Sequence, residues 1–74
     1  MNKIYFGSNS ISNFNLYGDY LYVNMIGGQH SQICVHEESK NVMNKMVEKL
    51  ISMLRGNIHY VCCYDFNSGK LTIE

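Results

Sequence analysis

The sequence predicts an α+β fold: an antiparallel β-meander of four strands, one amphipathic helix packed on one face of that sheet, and a C-terminal β-hairpin. Three observations carry this. Residues 40–55 repeat their apolar positions at helical spacing, two strictly alternating runs flank Gly18-Asp19, and a glycine-rich turn leads from the second run into a third. The 74 residues are expected to form a single small domain over 1–74.

Residues 3–7 (KIYFG) form a short strand at the edge of the sheet, with Ile4 and Phe6 on one face, and the polar Ser8-Asn9-Ser10 connection follows. Residues 13–17 and 20–25 both alternate, and the Gly18-Asp19 pair between them is a two-residue hairpin signal of the type II′ kind. Register then follows: Tyr17 lies opposite Tyr20, Leu16 opposite Leu21, Asn15 opposite Tyr22 and Phe14 opposite Val23. The aliphatic residues and Phe14 share one face, and tyrosine and asparagine share the other. A turn at Gly27-Gly28-Gln29 leads into residues 31–37 (SQICVHE). The parity of this loop decides the faces, because a slip of one residue turns every side chain over. An odd, three-residue loop sets Val23 opposite Ile33 and Leu21 opposite Val35, whereas a four-residue loop exposes both aliphatics, so the odd loop is predicted. The outer face then displays Tyr17, Tyr20, Tyr22, Asn24, Gln32, Cys34 and His36.

On a helical wheel at about 100° per residue, Val42, Met43, Met46, Val47, Leu50, Ile51, Met53 and Leu54 fill one half. Asn41, Asn44, Lys45, Glu48, Lys49, Ser52 and Arg55 fill the other as a solvated face. Ser39 is placed to cap the first turn, Gly56 to take the left-handed position after the last, and Lys49 and Arg55 to sit near the negative end of the macrodipole. The apolar arc is wider than the ~100° stripe that one contact requires, which leaves a flank for a second surface. A homodimer is the expected supplier. Met43, Met46 and Met53 read as core at this spacing, in preference to an adaptable binding groove. Residues 58–66 and 71–73 then form the closing hairpin around Asn67-Ser68-Gly69-Lys70. A two- or four-residue loop aligns Phe66 with Leu71 and Tyr64 with Ile73, burying Tyr60, Cys62, Tyr64 and Phe66. His59, Val61, Cys63, Asp65 and Lys70 then lie outside. A three-residue loop reverses the faces and buries less apolar area, so the first arrangement is expected.

Composition narrows the function. A chain of this size hides only about 60% of its unfolded-state surface, so it must be marginal, stapled or oligomeric. Three cysteines, two of them the adjacent Cys62-Cys63, make a poor disulfide framework. With no secretory segment after Met1, a cytoplasmic protein with reduced thiols is expected. Six acidic residues balance six basic ones, which removes the long-range field of a nucleic-acid binder. No apolar run approaches membrane-spanning length.

Each cluster with chemical potential has a plainer explanation. Cys34 and His36 stand on one strand face, roughly 7 Å apart between Cα atoms, and would need two further ligands for zinc. Cys63 or His59 is the available addition, the two being too far apart to join together, and no CxxC pair is present. Half-buried strand residues account for them, and no metal is expected. A nucleophilic role for Cys62 or Cys63 near His59 needs a cation or helix N-terminus to stabilise the thiolate, and neither is implied. Glu37 and Glu38, the adjacent carboxylates, have an electrostatic role before the helix. The Gly27-Gly28 pair is a turn device, since no helix N-terminus follows it within reach. The chain is therefore read as non-enzymatic, with no cofactor.

The tyrosine-bearing face remains. Tyrosine joins a large apolar area to a polar handle with few rotamers, so Tyr17, Tyr20, Tyr22, Asn24, Gln32 and His36 have the chemistry of a protein interface or a base-stacking platform. A merely solvated face of high strand propensity is the plainer alternative. No Arg or Lys falls between Tyr17 and His36, which counts against nucleic acid as the partner. The composition, without proline and rich in Asn, Ile, Lys and Tyr, is common in accessory proteins of AT-rich genomes, phages and mobile elements included. The expected function is thus a small homodimeric inhibitor that binds a host protein, such as an anti-CRISPR or other anti-defence protein. A sheet-face binder of a nucleotide-like ligand or nucleic acid is the alternative.

Overall fold

The computed structural model describes residues 2–74. Two three-stranded antiparallel sheets and one helix make up the α+β fold. Strands β2 (Ile11–Tyr17), β3 (Tyr20–Met25) and β4 (Gln32–His36) form the meander, in that order. Its register is the predicted one throughout: Tyr17 faces Tyr20, Leu16 faces Leu21, Asn15 faces Tyr22, Phe14 faces Val23, Val23 faces Ile33 and Leu21 faces Val35. Gly18 has φ 58° while no other residue type in the described chain has positive φ, as a type II′ turn requires. The β3–β4 connection is odd, although longer than three residues: the Met25 N–H donates to the Ser31 carbonyl at 2.8 Å, which closes a loop over residues 26–30.

Strand β1 (Lys3–Phe6) departs from the predicted order. It leaves the meander at a 3₁₀ turn, Ser8–Ser10, and pairs with β5 (Cys62–Asp65), which in turn pairs with β6 (Lys70–Ile73). A two-stranded hairpin is marginal by itself, and β1 supplies its third strand. Strand β2 also begins two residues earlier than predicted, and a bulge between Ile11 and Asn13 turns Ile11 onto the core face, where it is buried.

The helix α1 (Lys40–Leu54) begins where predicted and ends one residue sooner, with Arg55 as its C-cap. The Ser39 hydroxyl accepts a hydrogen bond from the Val42 N–H at 3.3 Å, and Gly56 takes φ 78°. Met43, Met46, Leu50 and Met53 are buried and Val47 is half-buried. Val42 and Ile51, at the margins of the apolar arc, and Leu54, in the last turn, stay exposed. The core draws on both sheets: Leu21, Val23, Ile33 and Val35 from the meander, and Phe6, Cys62, Tyr64, Leu71 and Ile73 from the other.

The closing hairpin has the predicted faces in a shifted register. Tyr64 faces Leu71 and Cys62 faces Ile73, two residues from the expected pairing. The physical reason is a four-residue turn over 66–69, held by Gly69 N–H donating to the Asp65 carbonyl and Asn67 N–H to the Asp65 carboxylate, both at 2.8 Å. Phe66 therefore sits in the turn and is 40% exposed, while Cys62 and Tyr64 are buried. Regular pairing starts at Cys62, although Val61 and Glu74 extend it by two reciprocal backbone bonds of 2.8 and 3.0 Å. Among the described residues no helix is long and apolar enough to cross a membrane.

Candidate interaction surface

Alternation along β2, β3 and β4 sends Leu21, Val23, Ile33 and Val35 inward, and the same geometry brings the six predicted contact residues together on the outer face. They form cross-strand rows. Tyr17, Tyr20 and His36 share one; Tyr22 stands with Asn15 and Cys34 in the next; Asn24 stands with Asn13 and Gln32 in the third.

The aromatic rings contact one another. Tyr20 stacks on the His36 imidazole with centroids 4.8 Å apart and planes at 26°, and Tyr17 meets Tyr22 edge-on at 5.9 Å. Tyr20 and Tyr22 lie 6.5 Å apart at 26°. Such pairs hold each other's rotamers. Yet Tyr17 remains 66% exposed and Tyr20 45% exposed, so the row still presents tyrosine surface to solvent.

Amides order the neighbouring row. The Gln32 side-chain amide donates to Asn24 Oδ1 at 2.8 Å, and the Asn24 amide donates to Asn13 Oδ1. Asn13 was not singled out from the sequence as a contact residue. The signal was present, because the predicted register sets Asn13 opposite Asn24. Strands β2, β3 and β4 contain no Asp, Glu, Lys or Arg. The Tyr22 phenol is held above its ordinary pKa, chiefly by the neighbouring Cys34 sulfur and then by its own partial burial, so it stays a neutral hydroxyl through the physiological range.

The cysteines are dispersed, and all three are free. Cys34 lies beside Tyr22 on the outer face, whereas Cys63 belongs to the other sheet, between Tyr5 and Thr72. Among the described residues no three His, Cys, Asp or Glu side chains converge as a metal site would require. Cys62 is fully buried against Met53, with its thiol pushed up to about 11 by desolvation, the opposite of an activated nucleophile. Glu37 accepts from the Ser39 N–H at 3.2 Å and faces the Lys70 ammonium at 3.6 Å, a structural role at the helix entry.

Grooves run along other parts of the molecule. One lies between Val42, Lys45 and Lys49 of the helix and Leu71–Glu74; another lies between β1 and the Gly27–His30 turn. The tyrosine face is a sheet surface outside both. Comparison of the chain with protein-family models, with curated proteins and with solved structures gives no match in any of the three.

Proposed function

We propose that the protein is a non-enzymatic interaction module that acts by laying the outer face of β2–β3–β4 on a protein partner, and that it works as a homodimer. The observation that carries this reading is the cluster of neighbouring rings Tyr17, Tyr22, Tyr20 and His36, stacked or edge-on, on a face without formal charge. A row of aromatics already held by its neighbours loses little side-chain entropy on binding, and tyrosine supplies both apolar area and hydrogen-bonding tips. An inhibitor that occludes a surface of a host defence protein is the use we assign to it, in the cytoplasm.

Paired baits test it. Wild-type protein and a Tyr20→Ala/Tyr22→Ala double variant are immobilised in parallel and used to capture partners from bacterial lysate. The captured protein is then titrated against both in purified form. Loss of two aromatic anchors is expected to weaken binding by about 30-fold or more, at about 1–2 kcal/mol each, with an unchanged circular-dichroism spectrum. Wild-type affinity should change little between about 50 and 200 mM salt, where phosphate recognition falls steeply. A double variant that binds the partner normally removes this face.

The stacked, exposed rings also favour the alternative of base stacking. Quenching of tyrosine fluorescence by a single-stranded oligonucleotide, reversed by salt, would make that the leading reading.

A further inference from the structure

We infer that the outer edge of β2 is a self-association edge, on which a second copy of the chain pairs antiparallel to give one continuous six-stranded sheet. The inference rests on the proposed homodimer and names its surface. Four observations converge on it.

The first is the direction of the backbone groups. Met25 N–H donates toward β4, so alternation along β3 sends Tyr20, Tyr22 and Asn24 to exchange bonds with Tyr17, Asn15 and Asn13. The N–H and C=O groups of Phe14 and Leu16 then point out of the sheet. The second is the contrast with the opposite edge of the same sheet. On β4, Tyr64 Oη donates to the Cys34 carbonyl, His36 N–H donates to the Gly69 carbonyl at 3.0 Å, and Lys70 Nζ donates to the His36 carbonyl at 3.0 Å. The closing hairpin covers that edge, and β2 pairs with β3 alone.

The third is the absence of protection. Exposed edges are ordinarily blunted by lysine, proline, short length or a bulge. Strand β1 is four residues long and carries Lys3, whereas β2 is seven residues long with neither charge nor proline, and its bulge lies at the Ile11 end, leaving residues 13–17 regular. The fourth is self-complementarity. Residues 13–17, Asn-Phe-Asn-Leu-Tyr, are near-palindromic in polarity about Asn15. A two-fold axis at Asn15 sets Phe14 of each copy opposite Leu16 of the other on the inner side, and Asn13 opposite Tyr17 on the outer side. Leu16 is 45% exposed in the monomer and shares a groove with Met43 and Asn44. Val47, Ile51 and Leu54 continue that helix flank at i+3 and i+4 spacing, and the last two are exposed. Edge pairing therefore covers the flank that the apolar arc leaves over, and zero net charge removes repulsion between copies. The two tyrosine faces become coplanar, which makes the assembly bivalent.

Asn15 is exposed on the outer face, so substitutions there leave the β2–β3 ladder in place while placing like charges opposite each other at the axis. Light scattering at low salt should give twice the monomer mass for wild type. Asn15→Lys and Asn15→Glu should each raise the dimer dissociation constant by about tenfold or more, and an equimolar mixture of the two should dimerise again. Hydrogen exchange provides a readout without substitution: the Phe14 and Leu16 amides should slow as wild-type concentration rises. A wild-type monomer with fast exchange at both amides overturns the homodimer and the edge together. A dimer indifferent to both Asn15 variants, or one whose Phe14 and Leu16 amides exchange fast, overturns the edge and leaves a homodimer through another surface.

Discussion

Cys62 shows at the scale of one residue how position overrides type. Its neighbour in sequence, Cys63, lies on the opposite face of β5 and is half-exposed, while Cys62 is fully buried with Met53 Sδ 3.7 Å from its sulfur. Burial raises its pKa from 9.0 to about 11. An unfolded thiol ionises near the lower value, so between the two the folded chain binds more protons than the unfolded one and stability falls as pH rises. Tyr64, raised from 10.0 mainly by desolvation, acts in the same direction. Urea midpoints should hold steady below pH 9 and decline toward pH 11; a midpoint independent of pH over that window would contradict the buried assignment. Iodoacetamide at neutral pH should label Cys34 and Cys63 in the native protein and reach Cys62 only after unfolding. The inward position of Cys62 was legible because alternation and loop parity agree on it. The exposure of Phe66 was not, because apolar area alone favoured burying it, and the Asp65-centred turn that holds it out depends on side-chain hydrogen bonds.

At the scale of elements, the helix is the part most fully determined by local chemistry. Its cap, its glycine terminus and its apolar positions all point to one segment, and tertiary contact chooses only which part of the arc is buried. Leu50 is fully buried in the shared core. Leu50→Ala should cost about 2–5 kcal/mol, whereas Leu54→Ala, on the exposed flank, should cost well under 1 kcal/mol in the monomer; denaturant titration of both variants measures the difference. Equal losses would mean that the buried face had been misassigned. The meander was equally legible, since a type II′ dipeptide and the parity of one loop specify its pairings. Its bulge was not. Ser12 carries no signal that an extra residue would be accommodated there, and the inward turn of Ile11 follows from where β1 must go.

The whole molecule is held together where its two sheets meet. The closing hairpin reaches β4 through the Tyr64 hydroxyl on the Cys34 carbonyl, the Gly69 carbonyl on the His36 N–H and the Lys70 ammonium on the His36 carbonyl. Lys49 ties the helix to β6 by donating to the Ile73 carbonyl at 3.0 Å, with its ammonium 5.7 Å from the Tyr60 ring. Tyr64→Phe keeps the ring and deletes the hydroxyl, leaving the Cys34 carbonyl without that partner. It should cost about 1–3 kcal/mol and raise the hydrogen-exchange rate of the His36 amide, the next bond along the same joint. A Tyr64→Phe variant as stable as wild type would show that the Tyr64 hydroxyl contributes nothing to the joint, which would then rest on the two His36 bonds and apolar packing. The same joint explains the functional geometry: it covers one edge of the meander and leaves the tyrosine face and the β2 edge outside.

The sequence by itself determined much of what depends on neighbours along the chain. These are the limits of the helix to within a residue, the hairpin register, the face each meander residue takes, and so the grouping of Tyr17, Tyr20, Tyr22, Asn24, Gln32 and His36 on one surface. The periods of strand and helix convert spacing directly into direction, and turn residues convert loop length into register. The partner of β1, the division into two sheets and the covering of one edge were decided only by the tertiary structure. Each is a competition between distant segments for the same backbone hydrogen bonds and the same side of one helix, and no local pattern encodes which segment wins.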